Sequence, residues 1–378
     1  MTRFLKMFFL LPGMLFFPLE QISGKDVYTL EYSGNRNTLF RNGELLTFAG
    51  CVEEVLKHHA DYSARDMAEL AFHGAFGAGF VSFDRIQQRQ MIIDDLASIK
   101  ASDVPLFEII SPNYCRISLA AWKFHKLPGD WLFNIYCASA EVFPDSGTLY
   151  SDYIDIIAGK KPEFSNKLKS AAQSCKAANN PAYRVVSNRY LQVIPVLQMM
   201  AQFPEETVCV IAVDGRAASG KTTLSRQLAF ITGGGVIHMD DFFLPVEMRT
   251  PERLNQPGGN VHYERFKAEV LPKLRSAKAF EYQRFDCSKM ELGKMRSVTA
   301  SRWRIVEGAY SFHPEFGKYA DLKVFFDISP AEQIKRIVRR NGERAAAVFS
   351  SRWIPLEENY IRSFNIKQKS DIVIGNCN

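Results

Sequence analysis

One segment constrains this chain more than any other: Gly215-Arg-Ala-Ala-Ser-Gly-Lys-Thr-Thr223. Its spacing, G-x-x-x-x-G-K-[ST], is that of a phosphate-binding loop. The glycines allow a tight turn whose backbone N–H groups point inward at a polyphosphate, and the lysine adds a positive charge for the β- and γ-phosphates. Such a loop needs a buried strand before it and a helix after it. The apolar run 207–213 and the helical spacing of residues 223–231 meet both requirements.

The loop therefore predicts a nucleotide site, and the Thr222 hydroxyl can bind Mg²⁺ there. Lys221 is expected to act in phosphoryl transfer as well as in binding. We expect the nucleotide to contact these residues of the loop and the helix after it: Gly215, Ala217, Ala218, Ser219, Gly220, Lys221, Thr222 and Thr223.

Composition narrows the class of protein further. A chain of 378 residues has room for two domains, and 47% hydrophobic with 23% charged residues is typical of globular proteins. The net charge of +6 suits anionic small substrates. The chain has no dense block of Lys and Arg of the kind that would indicate nucleic-acid binding. The seven cysteines form no C-x-x-C pair. They are therefore expected to be reduced thiols, which predicts a cytoplasmic protein.

Residues 1–24 form an apolar N-terminal tail. Two basic residues precede an apolar run, as in a secretory signal, but Pro12-Gly13 interrupts it and no small-x-small cleavage site follows. The run is too short for a helix that spans a bilayer, so no stable membrane span is expected. We expect a tail that folding does not need, and export is the alternative.

Residues 25–204 are expected to form an N-terminal domain, mixed α/β or mostly helical, of unknown function. Asn42-Gly43 indicates a hairpin turn within residues 27–48. His58-His59 and the other histidines lack the spacing of metal ligands. Further strands are predicted at 106–110 and 131–139, and helices at 52–59, 64–76, 168–178 and 186–202.

Residues 205–378 are expected to form a second domain of the α/β class, which begins after the polar joint Phe203–Glu206. Its apolar strands alternate with helices, a pattern that predicts a parallel sheet covered by helices on both faces. Two predicted strands end on acidic residues, one on Asp240-Asp241 and one on Glu307. In a parallel sheet these ends meet at one edge beside the phosphate loop.

Acidic residues at this edge fit phosphoryl transfer, which needs Mg²⁺ and a carboxylate that orients the attacking hydroxyl. Asp240 directly follows its strand, so we expect it to orient the hydroxyl, with Asp241 in a supporting role. The alternative is that both residues only cap a turn.

Several motifs, matched in order, resemble the uridine kinase branch of the P-loop kinases, relatives of phosphoribulokinase and pantothenate kinase. The resemblance covers about residues 206–374 and rests on these segments: Asp214–Thr223, Met239-Asp-Asp-Phe-Phe243, Arg284-Phe-Asp-Cys287, Ile305-Val-Glu-Gly-Ala-Tyr310 and an arginine-rich helix near the end.

The resemblance implies a kinase that uses ATP and Mg²⁺. It implies that Asp240 activates a 5′-hydroxyl and that Glu307 helps to hold Mg²⁺, so that Thr222, Asp240 and Glu307 form the metal set. Arginines of a lid would close over the phosphates, with Arg339 and Arg344 as the catalytic pair. Arg336 and Arg340 fall in the same segment.

The substrate is less constrained, because the chain departs from the family pattern. Cys287 stands where uridine kinases have Phe, Met290 lies near the place of a family His, and residues 255–262 lack an acidic residue for ribose hydroxyls. The first acceptor expected is a nucleoside such as uridine or cytidine. Pantothenate, a ribosyl-pyridine and a sugar phosphate are alternatives, as is a non-catalytic ATP-binding regulator. The chain has no Asn-Lys-x-Asp guanine reader. A homo-oligomer is compatible with the sequence.

Overall fold

A computed structural model describes residues 28–33, 36–41, 44–77, 84–140, 149–174, 182–287 and 289–375. The apolar tail 1–24 and the predicted Asn42-Gly43 turn lie outside the described residues. No helix among the described residues is both long and apolar enough to cross a membrane.

The first half combines helices with two small antiparallel sheets, so it is mixed α/β. Its sheets have the strand orders β1-β2-β3 and β4-β5-β6. The strands are β1 (Tyr28–Ser33), β2 (Arg36–Arg41), β3 (Glu44–Leu45), β4 (Phe107–Ile109), β5 (Tyr114–Ser118) and β6 (Tyr183–Ser187). The helices are α1 (Phe48–His58), α2 (Ala64–Phe76), α3 (Arg85–Ser98), α4 (Leu119–Phe124), α5 (Gly129–Ala140), α6 (Leu149–Lys160), α7 (Ser165–Ser174) and α8 (Ile194–Met200).

Two predictions for this half are wrong. The sequence predicts a strand at residues 131–139, but these residues lie in helix α5, which buries side chains around most of its circumference and so shows no amphipathic period. The sequence also predicts one helix over residues 186–202. Instead, β6 continues to Ser187, a 3₁₀ segment follows at Asn188–Val193, and only then does α8 begin.

The second half is the predicted α/β fold, a five-stranded parallel sheet with the order β13-β12-β7-β11-β8. Its strands, with a separate antiparallel hairpin β9–β10, are β7 (Cys209–Gly215), β8 (Gly235–His238), β9 (Phe280–Asp286), β10 (Glu291–Val298), β11 (Trp303–Glu307), β12 (Leu322–Phe326) and β13 (Ile372–Ile374). The helices are α9 (Lys221–Thr232), α10 (Pro251–Asn255), α11 (Tyr263–Glu269), α12 (Leu271–Leu274), α13 (Pro330–Asn341), α14 (Glu343–Val348) and α15 (Ile354–Ser363).

Strand β7 is the centre of this sheet. Every residue of β7 is buried, as expected for a parallel strand covered on both faces. It pairs with β11 on one side and with β12 on the other, so the strands that follow β7 in the chain lie on both sides of it in the sheet. In open α/β sheets, ligands bind outside the carboxyl ends of the strands at such a switch point. The phosphate loop lies at this end of β7.

One hydrophobic cluster spans both halves of the chain. A single cluster of buried side chains includes Trp131 and Leu132 of α5 and also Leu228 and Ile231 of α9. The rings of Trp131 and Trp303 lie 5.7 Å apart, and Asn134 Nδ2 donates to the carbonyl of Ile231 at 3.0 Å. The boundary near residue 204 stays a prediction, but the two sides of it are packed together.

Candidate active site

The phosphate loop has the backbone geometry that its glycines predict. Gly215 has φ of 138°, and a Cβ there would lie 2.1 Å from the carbonyl oxygen of Phe326 on β12, so only glycine fits. Gly220 has φ of 118° and is the residue before the first turn of α9. The loop therefore leads directly from the end of β7 into a helix N-terminus, which favours an anion.

A buried aspartate holds this turn in place. Asp214 Oδ1 accepts hydrogen bonds from the N–H groups of Gly215 at 2.7 Å and Tyr310 at 3.1 Å. Its Oδ2 accepts from the Phe312 N–H at 2.9 Å and the Tyr360 hydroxyl at 2.8 Å. Burial raises the pKa of Asp214 although these donors favour the carboxylate. Asp214 thus ties the loop to the segment after β11 and to α15.

A cleft of about 570 Å³ opens above the loop. Its lining brings together most of the residues that the sequence predicts: Ala217, Ala218, Ser219, Gly220, Lys221, Thr222, Thr223, Asp240, Glu307, Arg336, Arg339 and Arg340. Gly215 is buried beneath this surface. Arg344 is exposed on α14 and does not line the cleft. The volume is in the range of small-molecule sites.

Lys221 Nζ donates to two loop carbonyls, those of Gly215 at 2.9 Å and Arg216 at 2.8 Å. The Lys221 side chain is almost fully buried and extends along the loop. Its positive charge therefore lies at the floor of the cleft, where a polyphosphate held by the loop would meet it.

The predicted metal residues form a connected group. Thr222 Oγ1 donates to Glu307 Oε2 at 3.1 Å, and His238 Nδ1 lies 2.5 Å from Glu307 Oε1. An ionised carboxylate only accepts hydrogen bonds, so His238 is the donor in this contact. Burial acts against the charged form of Glu307, but His238 and Lys221 lower its pKa overall. Glu307 is thus kept ionised at the end of β11.

Asp240 completes this group at the end of β8. Its carboxylate is exposed in the cleft, where partial desolvation by the surrounding protein, together with the charge of Glu307, raises its pKa. A cation between these two carboxylates would relieve their repulsion. The described residues contain no group of three or more His, Cys, Asp or Glu side chains that could hold a metal. The donor set still fits Mg²⁺, because this ion is usually bound by one or two carboxylates together with substrate phosphates.

Asp241 has different surroundings. It is buried and lies outside the lining of the cleft. It accepts a hydrogen bond from the Tyr282 hydroxyl at 2.8 Å, and Arg296 Nε lies 3.1 Å from its Oδ2. Asp241 therefore fastens the end of β8 to the β9–β10 hairpin, and the structure separates two residues that the sequence leaves side by side.

Helix α13 contributes the arginines of the cleft. Its N-terminus is capped by Ser329, as its Ser-Pro start predicts, and it ends at Gly342, which has φ of 82°. Arg336 Nη1 donates to the carbonyl of Ser219 at 3.2 Å, while Arg339 and Arg340 are exposed at the rim. The helix thus lies against the phosphate loop and directs positive charge across it.

Glu357 is a site residue that sequence reasoning missed. It lies on α15, lines the cleft, and accepts a hydrogen bond from the loop N–H of Ala217 at 2.9 Å. Burial, partly offset by the charge of Lys221, raises the pKa of Glu357 to about 7. The sequence predicts helix around this position, but helical spacing does not reveal that Glu357 faces the loop.

The part of the cleft lining outside the predicted set is mainly apolar, and it holds a further cation. Arg249 Nε donates to the carbonyl of Leu244 at 2.8 Å, which orients its guanidinium. No carboxylate among the described residues forms an ion pair with Arg249, and partial desolvation lowers its pKa. The remaining lining residues are Phe243, Asn260, Cys287, Met290, Gly308, Ala309, Tyr310, Phe349 and Trp353.

No protein-family model and no curated protein matches this chain. Among solved structures, it is similar to a "possible uridine kinase" from Bacillus stearothermophilus, at 19% identity and a TM-score of 0.38, with 49% of this chain and 97% of that one covered. It is also similar to a "putative fructose transport system kinase" from Silicibacter sp. TM1040, at 19% identity and a TM-score of 0.41, with 49% and 98% covered. Both are described as kinases, and each match covers about half of this chain.

Proposed function

We propose that this protein is a kinase that transfers the γ-phosphoryl group of ATP, with Mg²⁺, to the hydroxyl of a small molecule. One observation carries the proposal: the phosphate loop, Asp240, Glu307 and the arginines of α13 line the same cleft. Phosphoryl transfer needs little covalent chemistry from the protein, because positioning and charge neutralisation provide most of the catalysis. This cleft combines a helix N-terminus, a lysine and three arginines with a carboxylate that can accept a proton.

Each residue has a distinct role in this mechanism. The loop N–H groups and Lys221 would bind the β- and γ-phosphates, and the arginines of α13 would stabilise the charge that develops during transfer. Thr222, Asp240 and Glu307 would hold Mg²⁺, which supplies charge neutralisation at the phosphates. Asp240 would align the attacking hydroxyl and accept its proton late in the step.

The experiment that tests this function is a screen of acceptors with the full chain and Mg·ATP. Uridine and cytidine are the first acceptors, because the sequence resembles uridine kinases, and a ribosyl-pyridine is the next. A kinase releases one phosphorylated product for each ADP formed. Nucleotide binding with no turnover of any hydroxyl compound would contradict the proposal and would instead support an ATP-binding regulator.

A second group of acceptors is favoured by Arg249. A guanidinium without a carboxylate partner attracts an anion, and Arg249 lines the same cleft as Asp240. An acceptor that is phosphorylated beside Asp240 would therefore present its own negative group to Arg249. Pantothenate and sugar phosphates have such a group, whereas uridine and cytidine have none.

Matched acceptor pairs separate the two groups. Pantothenate is compared with uncharged pantothenol, and ribulose 5-phosphate with ribulose, in wild type and in Arg249→Met. If Arg249 binds the acceptor, the anionic member of a pair should have at least about tenfold higher kcat/KM in wild type only. An equal kcat/KM for the anionic and the uncharged member of a pair would favour neutral acceptors. A change confined to the KM for ATP would assign Arg249 to the nucleotide.

A further inference from the structure

A second cavity, of about 400 Å³, lies in the first half of the chain. Helix α1 forms one wall, and strands β4 and β5 with Tyr183 at the start of β6 form the other. None of its lining residues lines the cleft above the phosphate loop. Its size is within the range of small-molecule sites, and most of its surface is apolar.

Arg116 on β5 is the central charge of this cavity. Its side chain is only 6% exposed, and its guanidinium lies over the ring of Tyr183, 4.6 Å from the ring centre. Nη1 donates to the Tyr62 hydroxyl at 3.0 Å, and buried Nε has no hydrogen-bond partner. A buried guanidinium with five N–H groups is costly unless these groups are bonded. Among the described residues, the Tyr62 hydroxyl is the one hydrogen-bond acceptor of the Arg116 guanidinium, and the buried Nε is left without a partner.

The nearest carboxylate does not satisfy Arg116. Glu108 Oε2 lies 3.7 Å from Arg116 Nη1, which is too far for a hydrogen bond. Glu108 Oε1 instead lies 2.9 Å from His59 Nε2, and the His59 ring stacks on Tyr62 with 4.6 Å between ring centres. Glu108 is therefore held by His59 at the side of the cavity, and Arg116 keeps capacity for a second anion.

The rest of the lining defines what kind of molecule fits. Apolar surface is provided by Leu46, Val55, Phe107 and Ile109. The stacked rings of His59 and Tyr62 provide a flat aromatic surface. Such walls favour a planar apolar body, since stacking adds to the burial of apolar area. The carboxylates of Glu54 and Glu108 also line the cavity, and they would repel a multiply charged group such as a phosphate ester.

We propose that this cavity is a second ligand site, which binds a small aromatic monocarboxylate through Arg116. The carboxylate accepts from the Arg116 guanidinium, and the aromatic body packs between the His59–Tyr62 stack and the apolar side chains of β4 and α1. The site is independent of the function proposed for the phosphate loop, because the two cavities have no residue in common.

The test uses fluorescent 2-naphthoate and its uncharged analogue 2-naphthamide as probes. They are titrated into the full chain with excess Mg·ADP, so that the nucleotide cleft is filled. Wild type should bind the carboxylate at least about tenfold more tightly than the amide. Arg116→Met should remove this preference. Arg89→Met is the matched control, because Arg89 is an exposed arginine on α3, paired with Asp130 outside the cavity, and its variant should bind as wild type does.

A further variant keeps the proposal testable if Arg116→Met does not fold. Glu108→Gln retains the shape and a hydrogen bond to His59 but removes the competing carboxylate, so it should bind 2-naphthoate at least about threefold more tightly than wild type. A purely structural role of Arg116 predicts no such gain. The proposal is overturned if neither probe binds, if the amide binds as well as the carboxylate, or if Glu108→Gln leaves the affinity unchanged.

Discussion

At the scale of single residues, Asp240 and Asp241 are adjacent in the chain but have different surroundings. Asp240 faces the cleft beside Glu307, whereas Asp241 is buried against Tyr282 and Arg296. The prediction that Asp240 orients the acceptor rested on its place directly after a strand. The contacts of Asp241 support this assignment, because a carboxylate already bound by a hydroxyl and an arginine has little freedom to meet a substrate.

We expect Asp240→Asn to fold and to bind ATP about as tightly as wild type, with turnover lower by about a hundredfold or more. The amide keeps the size of the side chain but cannot accept the hydroxyl proton. Asp241→Asn should lose much less turnover and should instead lower the free energy of unfolding by about 1–3 kcal/mol, since it weakens a buried hydrogen-bonded group. Steady-state kinetics and urea unfolding measure both quantities. The reverse ranking in turnover would transfer the role to Asp241.

Glu357 gives the site a dependence on pH. Its pKa is raised from 4.5 to about 7 in the folded protein, so the native state binds more protons than the unfolded state between these values. Stability should therefore fall as pH rises through this interval, and the ionised carboxylate should also compete with phosphate for the Ala217 N–H. Glu357→Gln should be more stable than wild type by about 3 kcal/mol above pH 7 and equally stable near pH 4.5.

Urea unfolding and ATP titrations of wild type and Glu357→Gln across this pH range measure both effects. ATP affinity should exceed that of wild type only where Glu357 is ionised. Parallel stability profiles of the two proteins would show that Glu357 keeps an ordinary pKa in the folded chain. They would contradict the prediction that its ionisation destabilises the protein.

At the scale of elements, α13 and α14 carry the arginines predicted to form a lid. Arg339 lies at the rim of the cleft, but Arg344 follows the break at Gly342 and lies outside its lining. A role for Arg344 in transfer stays a prediction and requires α14 to move toward the phosphates. Glycine at the junction, with φ of 82°, is a position where the chain can bend.

We expect Arg339→Ala to lower turnover by at least about tenfold while the affinity for ATP changes little, because its charge acts mainly on the transferring phosphoryl group. Arg344→Ala should have a smaller effect. Lys335→Ala is a control on the same helix, since Lys335 is exposed and does not line the cleft. Kinetics with binding titrations give both quantities. Equal losses of binding and turnover in Arg339→Ala would indicate a static binding role.

The elements that the sequence predicts correctly are those with strong local signals. The strands of the parallel sheet are continuous apolar runs, and the loop and the Ser329-Pro330 helix start have defined residue patterns. Helix α5 lacked such a signal, because it is buried on most sides and rich in residues that also suit strands. The contact between Glu357 and Ala217 joins two elements far apart in the chain, and only tertiary packing brings them together.

At the scale of the whole molecule, the first half packs on the second half, which contains the phosphate loop. Helix α5 lies against α9, the helix that follows the phosphate loop, and their apolar side chains belong to one cluster. The domain boundary that the sequence predicts near residue 204 implies that a fragment from about residue 202 onward folds unaided. The shared cluster instead predicts that such a fragment exposes apolar surface on α9 and is less stable than the full chain.

We therefore expect the full chain to unfold in one transition. Trp131→Ala, a change in the first half, should lower the free energy of unfolding by about 3–5 kcal/mol. It should also lower the temperature at which the nucleotide site in the second half unfolds. Circular dichroism and the loss of bound fluorescent ATP analogue follow the two events. Two separate transitions, with only the first affected by Trp131→Ala, would indicate that the two halves fold as independent domains.

The proposed activity is the transfer of a phosphoryl group to a hydroxyl, so its most direct test follows that group. The full chain is incubated with Mg·ATP labelled at the γ-phosphate and with the acceptor panel, and the label is traced. We expect the label to appear in one phosphorylated acceptor, in amounts equal to ADP, and we expect Lys221→Ala to abolish this transfer. Label found only in ATP or in free phosphate, with every acceptor unlabelled, would contradict it.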